Sequence, residues 1–216
     1  MRKTETFGME EEKEEAWYKG PIRYIIMIFL LLIIVLWYFP KDVVVLDPEP
    51  SRVAKIDEVL QKDFYVGNKT GGSWDDIKIY NPILKQIADR ISSIGCEGNK
   101  ICQAKSIYYF VRDNIKYVSD PLGFEYIESP EEVLYSRSAD CDGHSALLAS
   151  LEENIGIDAQ LVFTPGHVFV RIRLPEALKR YKKEDWIYLD ATCKQCGFGE
   201  LPWSLAEKKK DYLEFP

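Results

Sequence analysis

From Tyr24 to Phe39 no side chain carries a charge, and the block reads Tyr-Ile-Ile-Met-Ile-Phe-Leu-Leu-Leu-Ile-Ile-Val-Leu-Trp-Tyr-Phe. A run that is apolar on every face predicts a helix without a water-facing side. At about 1.5 Å per residue the block covers about 24 Å, which is short for a bilayer. Extension to Pro21 and Pro40, with Arg23 reaching back to the interface, brings it to the lower end of the spanning range. The pattern therefore predicts a transmembrane signal-anchor helix over 21–40, with Trp17, Tyr18, Trp37 and Tyr38 in the interfacial belts. The block leaves through Trp37-Tyr38-Phe39-Pro40-Lys41, without the small residues of a cleavage site, so the anchor is expected to stay. Lys19 and Arg23 before the helix and Lys41 after it put the acidic tail, residues 1–20, in the cytoplasm and the rest of the chain outside.

Residues 41–50 read as a stalk, and one folded domain is expected over 51–216. Ser51 is read as the cap of a helix with Val53, Ile56, Val59, Leu60 and Phe64 at helical spacing. Asn81-Pro82 opens a second helix, with Ile83, Leu84, Ile87 and Ile91 on one face, that ends before Gly95. A third runs from about Lys100 to Ile115 and turns Ile101, Ala104, Ile107, Tyr108 and Val111 inward. Ser129-Pro130-Glu131-Glu132 is a capping box with proline at the first helical position, which predicts a short helix over Pro130 to Tyr135. From Cys141 to Glu153, Ala146, Leu147, Leu148 and Leu151 form one buried stripe, and Gly156 suits the helix end. Three extended segments follow: Ala159 to Thr164, His167 to Leu174 after a Pro165-Gly166 turn, and Trp186 to Asp190. Helices first and an antiparallel sheet afterwards define an α+β domain.

Composition fits that picture: 46% apolar and 29% charged residues suffice for a packed core. A net charge of −7 argues against a nucleic-acid partner, whose phosphates select clustered Lys and Arg. The basic runs at Lys179–Lys183 and Lys208–Lys210 lie among acids and read as solvated surface. Of five cysteines, Cys96 and Cys102 are close in sequence, Cys193 and Cys196 form a CxxC pair, and Cys141 stands alone. Two bridges and one free thiol account for all five, as suits an oxidising compartment.

The lone cysteine opens a helix, where unpaired backbone N–H groups favour a thiolate, and Asp140 can cap that helix with its carboxylate on backbone donors. A thiol nucleophile needs a base, and the base needs an orienting partner. His167 is one of only two histidines and begins a strand; in that strand Val168, Val170, Ile172 and Leu174 share one face while His167 and Phe169 share the other. Asp190 closes the next strand. If the two strands are hairpin neighbours through Leu174 to Asp185, carboxylate and imidazole meet at one rim of the sheet.

These residues sit in motifs that resemble a known family. The run Ser129-Pro-Glu-Glu-Val-Leu-Tyr-Ser-Arg-Ser-Ala-Asp-Cys141-Asp-Gly-His-Ser-Ala-Leu-Leu-Ala-Ser-Leu resembles the cysteine motif of the transglutaminase-like superfamily. Gly166-His167-Val-Phe-Val170 is similar to that family's histidine strand, and Trp186-Ile-Tyr-Leu-Asp190-Ala-Thr192 to its aspartate strand, in the same order. The resemblance covers roughly Ile101 to Thr192. Ala139 stands where the family usually has glycine, and Phe169 where tryptophan is frequent. The resemblance implies a papain-like fold with Cys141 as nucleophile, His167 as base and then acid, and Asp190 as orienter. It further implies that His144 and Phe169 line the substrate cleft, and that no cofactor is needed.

The implied substrate is a protein or peptide amide, attacked to give a thioester at Cys141. Water would complete a hydrolysis, the favoured outcome, while a lysine amine would complete a cross-link. No calcium-loop spacing is present. Two further readings compete: a binding module that keeps the fold without chemistry, and a structural zinc site from Cys141-x-x-His144 and Cys193-x-x-Cys196.

Overall fold

The computed structural model describes residues 20–38, 47–61, 64–66, 72–78, 80–121, 123 and 126–214. The chain divides into two compact units, Met1–Val45 and Leu46–Pro216. In the first, helix α1 spans Ile22–Tyr38, 17 residues with none buried. It is shorter than the span expected over 21–40, and among the described residues no helix is long and apolar enough to cross a membrane. The tail up to Lys19, with Trp17 and Tyr18, and the stalk from 41 to 46 lie outside the described residues.

The second unit begins with α2 (Ile56–Val59), α3 (Pro82–Gly95) and α4 (Lys100–Asn114). Strand β1 (Lys116–Tyr117), helix α5 (Pro130–Ser136) and strand β2 (Ser138–Ala139) lead into α6 (Cys141–Asn154). Strands β3 (Ala159–Thr164), β4 (His167–Arg173), β5 (Lys182–Lys183) and β6 (Trp186–Leu189) follow, then α7 (Trp203–Ala206) and β7 (Asp211–Glu214). The sheet order β5-β6-β4-β3-β7 is antiparallel throughout.

Why the helices start where they do is visible in their caps. Asn81 accepts the Ile83 N–H ahead of Pro82, Asn99 accepts those of Ile101 and Cys102, and Ser129 and Glu132 exchange bonds as a capping box. The Pro165-Gly166 turn joins β3 to β4, with Gly166 at φ 74°, a left-handed conformation that favours glycine. Val168, Val170 and Ile172 of β4 then share a core with Leu161, Ile187, Leu189 and the inner faces of α3, α4 and α6. Phe169 turns to the opposite face and packs with Val162 and Leu205.

Two expectations at the start of the domain need correction. The helix read from Ser51 reduces to Ile56–Val59, because the Asn114 side chain binds the Ala54 carbonyl and the Ile56 N–H and so holds the preceding residues extended. Ile83 is half exposed, since the buried stripe of α3 is Leu84, Ile87, Ala88 and Ile91. The domain also reaches into the expected stalk. Lys105, fully buried on α4, places its ammonium 2.5 Å from both Asp47 and Glu49 and so ties down that segment.

Glu152 lies on α6 with no exposure, and among the described residues neither carboxyl oxygen has a partner. Burial pushes its pKa well above the ordinary 4.5, so the native state holds it protonated. A carboxyl raised in this way favours the fold below its unfolded pKa and loses that contribution as pH climbs toward the folded value. Glu152→Met is therefore expected to stabilise the chain by about 1–3 kcal/mol near pH 8, with a smaller gain near pH 4. Urea unfolding at the two pH values checks this; a loss of stability at pH 8 would refute it.

Candidate active site

The start of α6 is set by Asp140, whose Oδ1 accepts the N–H groups of Asp142 (2.8 Å) and Gly143 (3.4 Å). A Cβ at position 143 would lie 2.5 Å from that of Ala139 and 2.9 Å from Glu128 Oε2, so only glycine lets β2 and the Glu128 loop close on this turn. Cys141 follows the cap directly and is the free cysteine; Cys96–Cys102 and Cys193–Cys196 are bridged, as the spacing led one to expect.

The thiol is partly buried. Its S–H faces Asp142 Oδ1 at 3.6 Å, and the nearby Val168 backbone N–H favours the thiolate. Burial, reinforced by the charges of Asp142 and Asp140, outweighs that donor and pushes the thiol up to about 12. The helix end does not supply the activation expected of it, because burial of the sulfur and the charges of Asp142 and Asp140 outweigh it. At neutral pH the resting group is a thiol.

His167 begins β4, and its Nε2 is 3.1 Å from Asp190 Oδ2. The register Val170↔Leu189 places Asp190 immediately beyond the last β4–β6 pair, which is why the two side chains meet. Asp190 Oδ1 accepts the Thr192 N–H (3.0 Å) and hydroxyl (2.6 Å). Burial alone would raise this carboxyl; the bonds from His167 and Thr192 more than offset it and hold it below the usual range. An ionised Asp190 accepts, so Nε2 carries the proton and Nδ1 is the basic nitrogen. The Phe169 ring stacks on the imidazole, centroids 6.1 Å apart.

Neither side chain expected to line the cleft does so. His144 is 1% exposed: its Nδ1 lies 2.7 Å from the Asp140 carbonyl and its Nε2 3.3 Å from that of Ile115, so it ties α6 to the end of α4. Burial lowers its pKa despite these carbonyls. Phe169 is also 1% exposed, covered by Leu205, and supports His167 from below. The zinc reading fails on the same facts, because Cys193 and Cys196 are bonded to each other and His144 is committed to backbone carbonyls.

Four neighbours escaped the sequence reading. Tyr108, assigned only to the core, directs its hydroxyl to the carbonyls of Cys196 (3.1 Å) and Asp190 (3.4 Å); Arg112 donates to the same Cys196 carbonyl (2.8 Å), fixing the CxxC turn on α4. Glu128 carries a buried, unpartnered oxygen beside Gly143, and burial with nearby Asp140, Asp120 and Asp142 pushes it up to about 7. Tyr117 lies on β1, which pairs parallel with β2 just ahead of Cys141. No periodicity signals a two-residue ladder, so only the position of Tyr117 after a helix was legible.

The comparisons with known proteins meet this geometry. Residues 85–191 match the family model described as the Transglutaminase-like superfamily, a stretch that contains Cys141, His167 and Asp190. The mixed helix and sheet fold is consistent with a transglutaminase-like domain. A crystal structure described as a "Putative Cysteine Protease from Cytophaga hutchinsonii" is similar at 18% identity and a TM-score of 0.38, covering 51% of this chain and 37% of that one. No curated protein matches the chain.

A thiol held near 12 makes a clear prediction, since the thiolate is the species that alkylates. Iodoacetamide should modify Cys141 slowly at pH 7, with the rate rising about tenfold per pH unit beyond pH 9. Mass spectrometry of timed samples follows the reaction. A reactive plateau between pH 6 and 8 would instead reveal a standing thiolate–imidazolium pair.

Proposed function

We propose that the Leu46–Pro216 unit is a thiol hydrolase acting on protein or peptide amides through a thioester at Cys141. The observation that carries this reading is that one strand end touches both other groups. Its His167 imidazole bonds Asp190, and the Val168 backbone that follows lies near enough to Cys141 to favour its thiolate. His167 Nδ1 takes the thiol proton as sulfur attacks the carbonyl carbon, and the C=O π pair moves onto oxygen. Collapse restores the carbonyl and breaks the C–N bond, with the nitrogen leaving as an amine that takes the proton from His167. Water, deprotonated by His167 Nδ1, then adds to the thioester carbonyl; collapse breaks the C–S bond and releases the acid, and His167 returns the proton to the sulfur. A lysine amine in place of water would form a cross-link by the same route.

The chain is also proposed to be held in a membrane by α1, with its tail cytoplasmic and its domain outside. Support comes from the apolar surface of that helix beyond Arg23, whose described side chains are all exposed, and from two bridges that suit an oxidising compartment. Fractionation of cells expressing the full chain should recover it with membranes after an alkaline carbonate wash. Release into the wash would remove this part of the proposal.

The chemical proposal is tested with the full chain in detergent and a peptide library read by mass spectrometry for cleavage, deamidation and lysine adducts. Cleavage or deamidation is expected, and Cys141→Ala or His167→Ala should lower the rate by roughly three orders of magnitude or more. Lysine adducts would assign the cross-linking reaction. An unaltered library together with no selective labelling of Cys141 would leave a binding module.

A further inference from the structure

Asp190 orients the base in the thioester reading above, yet the sheet ladder does not hold it. The last β4–β6 pair is Val170↔Leu189, so the ladder stops one residue short. What holds Asp190 lies just downstream. Thr192 gives its N–H and hydroxyl to Oδ1, and the Cys193 N–H donates to the Asp190 carbonyl at 3.2 Å. Cys193 is bridged to Cys196, whose N–H donates back to the Cys193 carbonyl at 3.1 Å. The far end of this turn is fastened to α4. Tyr108 and Arg112 both donate to the Cys196 carbonyl, and Lys194 Nζ donates to the Ile115 carbonyl at 2.9 Å. A continuous path of bonds thus runs from α4 through the bridge to the carboxylate that faces His167.

We propose that the Cys193–Cys196 bridge is a positioning element for Asp190, so that the site works at full rate only while this turn is oxidised. Resting on the thioester reading, this deepens it by naming how the site is regulated. The ground is packing. Bonded sulfurs lie about 2 Å apart, whereas two thiols need roughly the 3.5–4 Å of an ordinary nonbonded contact. Cys193 and Cys196 are both buried, so their sulfurs cannot part in a close-packed interior without moving the chain. The Cys196 carbonyl is held from α4 by two donors, so the shift falls on Cys193 and passes to Asp190 through the bond between them. The other bridge has a different place, joining the end of α3 to the first turn of α4.

Closure of the turn is a thiol–disulfide exchange. The two thiols give up two protons and two electrons to a disulfide oxidant; one S–S bond forms as the other breaks, and the oxidant leaves as two thiols. A dithiol runs the exchange backwards and slackens the turn. Lys194 and Gln195, between the two cysteines, are exposed and bring the turn to the surface where such a partner can meet it.

Acylation of Cys141 by p-nitrophenyl acetate, followed on the Cys141 peptide by mass spectrometry, reads the effect with the full chain in detergent micelles. Cys193→Ser/Cys196→Ser should slow acylation roughly 10- to 10²-fold, while Cys96→Ser/Cys102→Ser should match the parent. In an Asp190→Ala background the loss of the bridge should cost no further rate, because the bridge acts through that carboxylate. Dithiothreitol, applied to the Cys96→Ser/Cys102→Ser chain until both remaining bridge thiols are counted free and then removed, should reproduce the slowing. Acylation of Cys193→Ser/Cys196→Ser within threefold of the parent would overturn the proposal, as would an equal loss in the Asp190→Ala background, the mark of general loosening. If Cys141 of the variant reacts with iodoacetamide as fast as in the urea-unfolded chain, the bridge serves stability alone and the proposal fails. A parent chain that forms no acetyl thioester at Cys141 would instead defeat the thiol-enzyme reading, and this role with it.

Discussion

Val168 meets the N-terminal half of α6 on both sides of its backbone: its carbonyl accepts from Ser145 Oγ at 3.1 Å, and its N–H lies near enough to Cys141 to favour the thiolate. The reason lies in strand lengths. β6 ends at Leu189, opposite Val170, so the next stretch of β4 has no partner strand on that side. Buried backbone groups demand partners. The helix meets this need in part through Ser145, and so its N-terminal half docks beside the start of β4.

Around this junction the protons are distributed unevenly. Asp190 is stabilised as an anion by donors from His167 and Thr192, whereas Cys141, deeper among carboxylates, is stabilised as a neutral thiol. Glu128 and Glu152 are two further carboxyls that burial keeps partly or wholly protonated. The Asp190 charge behind the imidazole orients the ring, while the Asp140 and Asp142 charges beside the sulfur oppose its ionisation.

How much of this was legible in the sequence depended on the range of the interaction involved. The helix over Cys141–Asn154, the capping box at Ser129 and the β3–β4 turn at Pro165-Gly166 are written in residues a few positions apart, and they were read correctly. Cys141 and Asp190 could be placed at element ends for the same reason, and the hairpin argument brought Asp190 to His167. Failures came where a distant side chain decides. Asn114 unwinds the start of the helix expected from Ser51 through two bonds across more than fifty residues of sequence. The resemblance implied a cleft position for His144, but the carbonyl of Ile115 claims it; Phe169 alternates to the correct face, but Leu205 covers that face. The ladder that fixes Tyr117 is only two residues long, too short to leave a pattern.

β7 forms the outer rim of the sheet, and all four of its side chains are exposed. Such a rim carries unpaired N–H and C=O groups along its free side, which can template a strand from another molecule. Asp211 and Glu214 bracket the strand with like charge, so a copy laid alongside in antiparallel fashion would bring carboxylates together at both ends. The acidic brackets thus guard the sheet against growing sideways from molecule to molecule, a hazard that grows wherever many copies are crowded at high local concentration.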